Sequence, residues 1–317
     1  MKILITGVHG FVGGNLVEYL SRDNTIYGLD IIAPEKKGVE KTYSWDDLDS
    51  GLLPEIDAII HLAGKAHDTK NQAEADVYFR VNRDLTIKIF DYFASHIIKK
   101  FIFFSTAKAA AERVTGVLTE DVIPSPVGPY GESKIAAEQY IINGMHNRPE
   151  TFSGREVYIF RPCMIHGPGN KGNLNLLYQV VSKGIPWPLG AYENRRTFTS
   201  VENICFAVNG VLTRDVPSGI YNMGDDEALS TNELIEVICS SLGKKARIWM
   251  LPKRLMYGVA KVGEWLHLPL DTERLRKLTE NYISSNAKIK AALGIEHMPV
   301  TARDGLKRTL EAFKEGK

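Results

Sequence analysis

The stretch Lys2-Ile3-Leu4-Ile5-Thr6-Gly7-Val8-His9-Gly10-Phe11-Val12-Gly13 decides the fold. A short apolar run ends at glycine, and a helical pattern through Phe11, Leu16, Val17 and Leu20 follows it. That order reads as strand, tight turn, helix. Gly7 permits the sharp turn, Gly10 lets the backbone approach a pyrophosphate, and Gly13 lets the helix pack closely on the strand. Phe11 and Val12 open the helix, whose N-terminus offers free amide donors and a partial positive charge to phosphates.

Outward from this turn the alternation continues. Thr25 to Asp30, Ala58 to Leu62, Phe101 to Ser105 and Val157 to Arg161 read as strands, and residues 80 to 96 and 130 to 145 as helices. The strands are continuous apolar runs, as expected when helices cover both faces of a parallel sheet. The pattern predicts an α/β protein: a Rossmann-type doubly wound parallel sheet with a smaller C-terminal α/β lobe. A Pro- and Gly-rich stretch from Pro162 to Gly172 marks the change of regime. The dinucleotide-binding domain is expected over residues 1-162 and the substrate-binding lobe over 163-317, with segments near 197-213 packing back onto the first domain.

Asp30 ends the second strand, where a carboxylate accepts from ribose hydroxyls and repels an extra phosphate. Ile31 follows it in the same cofactor-binding set. NAD is favoured over NADP, and Lys36 and Lys37 nearby keep NADP open. Because 39 Lys and Arg nearly cancel 38 Asp and Glu, no broad basic field serves a nucleic-acid partner. Cys163, Cys205 and Cys239 lack metal-ligand spacing, so no metal is expected and they read as packing residues in a reducing compartment. No apolar run reaches membrane-spanning length, so no membrane partner and a cytoplasmic location are expected. Trp249, Met250, Met256, Tyr257 and Trp265 have a spacing that fits helix packing in the smaller lobe.

The second signature is Tyr130-Gly131-Glu132-Ser133-Lys134. Four residues put Tyr130 and Lys134 on one helix face. An ammonium beside a phenol lowers the phenol's pKa from about 10 toward working pH, which makes a general acid or base. Alone, Tyr-x-x-x-Lys is a weak signal. Downstream of a dinucleotide turn, it points to hydride transfer at a carbinol.

With these residues in hand, the chain resembles the extended short-chain dehydrogenase/reductase family, in its nucleotide-sugar epimerase and 4-keto reductase branch. The resemblance also rests on Asp57 to Gly64 (Asp-Ala-Ile-Ile-His-Leu-Ala-Gly), Val81-Asn82, Phe101 to Thr106, Arg161-Pro162 and His166 to Gly169. It implies that Leu62, Ala63, Gly64, Asn82, Ser105 and Pro162 border the cofactor. It also gives Thr106 the task of hydrogen-bonding the reacting oxygen, for which a hydroxyl suits because it both donates and accepts. The 4,6-dehydratases of this branch carry Asp-Glu after that position, where this chain has Ala107-Lys108, so dehydration is disfavoured.

Asn173 and Arg196 resemble positions that grip the diphosphate and ribose of a UDP-sugar, and an arginine fork suits phosphate oxygens. Arg195 is a weaker candidate, and Arg274 and Arg276 match poorly. His67 is placed to approach the sugar or nicotinamide, or to be structural. Met164 and His166 depart from the asparagine and tyrosine common in the branch, which leaves the sugar's identity open. The implied function is an NAD-dependent enzyme acting at C4 of a UDP-hexose or UDP-N-acetylhexosamine, either a 4-epimerase or a 4-keto-6-deoxy-sugar reductase. The rival from another class is a non-catalytic NAD(P)-binding regulator. A homodimer through helices near residues 80 to 96 and 130 to 145 is the family's expectation.

Overall fold

The computed structural model describes residues 1–66, 74–170, 172–266 and 270–315. The first part of the chain supplies β1 (Lys2–Thr6), β2 (Thr25–Leu29), β3 (Lys41–Tyr43), β4 (Ala58–His61), β5 (Lys100–Phe104) and the short β6 (Val117–Leu118). The rest supplies β7 (Glu156–Pro162), β8 (Met164–His166), β9 (Arg196–Ser200), β10 (Gly219–Met223), β11 (Ala228–Leu229) and β12 (Ile283–Ser284). Among the described residues the main sheet has seven strands in the order β3-β2-β1-β4-β5-β7-β10. Every neighbouring pair in it is parallel.

The doubly wound architecture expected from the sequence is the one observed. The order in which strands are added reverses between β1 and β4, which opens a crevice at the carboxyl ends of the strands. Continuous burial of Ile3, Leu4, Ile5, Ile59, Ile60, Phe101, Ile102 and Phe103 follows from helices on both faces. One core joins Ile3 and Ile5 to Leu16 and Val17 of the first helix, and the other joins Leu4 and Ile59 to Phe90, Phe93 and Ile141.

Residues 201–223 return to this layer. Ile204, Val208 and Val211 of helix Val201–Thr213 share the first core, and β10 extends the sheet beside β7. The smaller lobe has a three-stranded sheet, β11-β9-β8, packed on helices Thr231–Ser241 and Ala302–Lys314. β6 crosses over to pair with β12, which ties the two layers together.

The helix expected over residues 80 to 96 is in two parts. A wide helical turn, Phe79–Asp84, precedes the α-helix Leu85–Ser95. Such turns re-aim side chains at functional sites, and here the buried residue of the turn is Asn82.

No helix among the described residues is long and apolar enough to cross a membrane. The aromatic and methionine reading divides. Met256 is buried, but Trp249, Met250, Tyr257 and Trp265 are exposed. Helix Lys253–Trp265 buries only Met256, Ala260 and Gly263. This narrow inward face of mostly small residues has no room for the others.

Candidate active site

The phosphate turn is built as its glycines require. Gly7 has φ +69°, and its amide donates to the Leu29 carbonyl at the end of β2. A Cβ on Gly13 would stand 2.4 Å from the Gly7 carbonyl oxygen and 2.9 Å from Val8 backbone atoms. Gly13→Ala is therefore expected to cost ~1–3 kcal/mol and to empty the cofactor site, read by thermal melting and by cofactor content after purification. Helix Phe11–Leu20 has Gly10 as its N-cap and no side-chain cap, leaving first-turn amides to a ligand. The loop Gly167-Pro168-Gly169 leans on this helix: Asn15 donates to the Pro168 carbonyl at 3.1 Å.

Asp30 is held at both oxygens by the amides of His9 (3.0 Å) and Ile31 (2.8 Å). Its carboxylate is thus fixed beside the turn, and the Ile31 side chain stands 86% exposed. Lys36 reaches over the first helix, near Gly14. Leu62 and Ala63 donate to Thr6 Oγ1, placing the loop after β4 against the turn, and Gly64 abuts Asn82 Oδ1 and Lys134 Nζ. Pro162 lies buried at the end of β7. The residues present thus fit a dinucleotide along the strand ends.

Tyr130 enters at the start of helix Pro129–Asn147, with the Thr106 side chain beside its hydroxyl. Thr106 ends β5's extension and caps the short helix Ala107–Ala110, accepting from the Lys108 amide. Gly131 permits this approach, because a Cβ there would sit 2.8 Å from the Lys108 carbonyl oxygen. One turn on, buried Lys134 donates to the Phe104 carbonyl at 2.8 Å and lies over the Phe103 ring. Burial brings the Lys134 ammonium down to about 8, against a partial rise from Glu138.

The expected lowering of the phenol by Lys134 is not what the structure contains. Burial pushes Tyr130 up, the Thr106 hydroxyl pulls it back, and the nearby Tyr78 adds to the rise. Lys134 spends its ammonium on a carbonyl instead. Ser105 also differs from expectation in its side chain, which donates to Glu138 rather than into the crevice.

On the smaller lobe the two adjacent arginines separate. Arg195 points outward to Glu233 (2.9 Å) and the Ala228 carbonyl. Arg196 is half-buried, donates to the Lys277 carbonyl at 2.6 Å, and has Glu280, Cys163, Tyr282 and Glu112 around it. Arg276 shares Glu280 at 3.1 Å, which brings it into this cluster, while Arg274 lies at the exposed side with Asp271. Asn173 opens helix Asn173–Ser182. His67 lies outside the described residues. Among the described residues no group of His, Cys, Asp and Glu is arranged to hold a metal ion.

Residues 3–224 match the NAD dependent epimerase/dehydratase family. The chain belongs to that family. It is 30% identical over 98% of its length, and over 95% of the relative, to a UDP-glucose 4-epimerase of Vibrio cholerae. An N-acetyl-alpha-D-glucosaminyl-diphospho-ditrans,octacis-undecaprenol 4-epimerase of Escherichia coli O157:H7 is 26% identical over 98% of this chain and 94% of its own. The solved structure of MoeE5 in complex with UDP-glucuronic acid and NAD superposes with a TM-score of 0.78 at 21% identity, covering 100% of both chains. The protein is thus an extended short-chain dehydrogenase/reductase enzyme of the nucleotide-sugar epimerase group.

In this family member two buried networks hold the site; His61, Asn82 and Arg161 stand in stretches already quoted, but their bonding partners were not expected. Thr6 Oγ1 already accepts two amides, so it donates to His61 Nδ1 (2.6 Å). His61 Nε2–H then donates to Thr86 (2.9 Å), and Thr86 to the Asn82 carbonyl (2.6 Å). This chain fixes a neutral ring, consistent with burial and Lys134 both driving the imidazole well below its usual range. Asn82 in turn receives the Lys65 amide and donates to Ser133, so the phosphate turn and the tyrosine helix are joined by side chains. The second network is the Glu138–Arg161 pair, with Nη2 to Oε2 at 2.5 Å. It pins the tyrosine helix to β7 and leaves Arg161 Nη1 buried without a partner among the described residues.

Proposed function

We propose that this enzyme binds NAD along the Gly7–Gly13 turn and reversibly oxidises C4 of a UDP-hexose or UDP-N-acetylhexosamine, acting as a 4-epimerase. The observation that carries the reading is the placement of the Thr106 side chain beside Tyr130 with Lys134 one turn away, all at the strand ends beside the phosphate turn. When bound, NAD supplies the hydride acceptor and a cationic ring over this crevice. Tyr130 takes the C4 hydroxyl proton through its phenolic oxygen and later returns it. Thr106 donates to the same sugar oxygen while it is a ketone and accepts from it while it is an alcohol. Lys134 meets the ribose of the cofactor. Asp30 would accept from the other ribose, and Ile31 would border the cofactor at that end.

Arg196, with Arg276 beside it, meets the diphosphate. Its half-buried setting strengthens each charge-assisted contact. Asn173 and His67 complete the proposed substrate contacts, and Leu62, Ala63, Gly64, Asn82, Ser105 and Pro162 those of the cofactor.

Purified protein is expected to retain NAD and to interconvert UDP-glucose with UDP-galactose, or the N-acetyl forms, without added cofactor, followed by NMR of the anomeric protons. Net consumption of NADH with a UDP-4-keto-6-deoxy sugar and no interconversion selects the reductase. Cofactor retention without turnover of any of these selects the regulatory role.

A further inference from the structure

The exposed apolar residues of the smaller lobe form a pattern. Leu255, Val259, Val262 and Leu266 recur at i, i+4, i+7 and i+11, one side of helix Lys253–Trp265 that does not coincide with the buried Met256, Ala260 and Gly263. Trp249 and Met250 precede the helix, Tyr257 lies on it and Trp265 ends it. These are 54%, 68%, 52% and 80% exposed.

Charge accompanies the stripe. From Gly243 to Gly263 the chain has six cations (Lys244, Lys245, Arg247, Lys253, Arg254 and Lys261) and no acid. All six are exposed. The whole chain carries a net charge of only +1, so this excess is local. The first acid after it, Glu264, accepts from the Thr272 hydroxyl at 2.7 Å, facing the neighbouring helix Thr272–Thr279.

We propose that this face seats the enzyme on an anionic lipid bilayer, with helix Lys253–Trp265 lying in the plane of the interface. A 13-residue helix is too short to span but long enough to bury one side among acyl chains. Tryptophan and tyrosine suit the headgroup level, and Lys and Arg meet anionic headgroups. A second copy of the chain is the poorer occupant, because a two-fold contact would set six cations against six cations. The face belongs to the lobe that carries Arg196. Ala260 and Met256 pack with Leu275, whose helix also presents the Lys277 carbonyl to Arg196. The inference stands on surface chemistry and needs no step of the catalytic reading.

The test is flotation of the full chain with vesicles of phosphatidylcholine alone or mixed with phosphatidylglycerol, together with tryptophan emission. Binding to the anionic vesicles is expected to be at least about tenfold tighter than to the neutral ones and to weaken with salt. The tryptophan emission should shift to the blue. The Val259→Glu/Val262→Glu variant is expected to lose about tenfold or more of that binding, with the melting temperature and turnover of a water-soluble UDP-sugar unchanged. Lys253→Glu/Arg254→Glu should abolish the preference for anionic vesicles. Equal binding to both vesicle types, or none, overturns the proposal. So does full binding by the valine variant, or sedimentation showing that the same variant splits a dimer.

Discussion

Tyr130→Phe is expected to lower kcat by about 10²–10⁴-fold while the purified variant keeps its NAD. Phenylalanine preserves the ring that meets Tyr78 edge-on at 6.4 Å, so the packing of the tyrosine helix survives. The loss is confined to the hydroxyl that Thr106 contacts. Burial raises the phenol in the cofactor-free protein, so on the proposed reading Tyr130 starts as a neutral acid and would act as a base only in a site made more positive by the oxidised cofactor. On that reading the reaction's two directions would use one group in two protonation states. Single-turnover measurement of sugar oxidation with stoichiometric NAD separates chemistry from binding. Turnover close to that of the unaltered enzyme would remove the phenol from the proton path and return the protein to a binding role.

The turn from Thr6 to Gly13 was legible in the sequence because its constraints are local. A positive φ at Gly7 and the absence of space beside Gly13 are requirements a short string can record. Tyr130 and Lys134 were legible for the same reason, four residues on one helix. What Lys134 does there was not, because its partner, the Phe104 carbonyl, is 30 residues away on β5.

The His61 relay and the Glu138–Arg161 pair likewise join residues whose types are unremarkable until the sheet brings them together. A buried pair leaves no periodicity. The division of Arg195 from Arg196 was set by strand geometry, since neighbours on β9's edge face opposite ways. The outer helix of the smaller lobe misled in the opposite sense: its spacing is helical, but spacing does not reveal which of two apolar sides faces protein.

Lys134→Met is expected to make the cofactor-free protein more stable at neutral pH and unable to retain NAD. The ammonium ionises at about 8 in the fold against 10.5 when exposed. With a depressed lysine, stability rises with pH wherever the unfolded state holds the proton and the native state does not. Below pH 8 both states are protonated and the full penalty, about 3 kcal/mol by the size of the shift, acts on the native state. As pH rises from 8 to 10.5 the native amine is neutral first, and that penalty is relieved.

Methionine removes the penalty throughout but leaves the Phe104 carbonyl unpaired, which costs about 1–3 kcal/mol at all pH values. The net change at pH 7 is therefore small and positive, whereas the pH dependence is decisive. Denaturant unfolding of the unaltered protein should gain roughly 3 kcal/mol between pH 8 and 10.5 relative to the variant. Parallel curves for the two proteins would mean that the native ammonium is not desolvated. Burying a cation at this cost with no anion in direct contact among the described residues is what a site does when the compensating contact is a ligand. On the proposed reading, the ribose hydroxyls of NAD would accept hydrogen bonds from the remaining N–H groups of Lys134 and offset that cost.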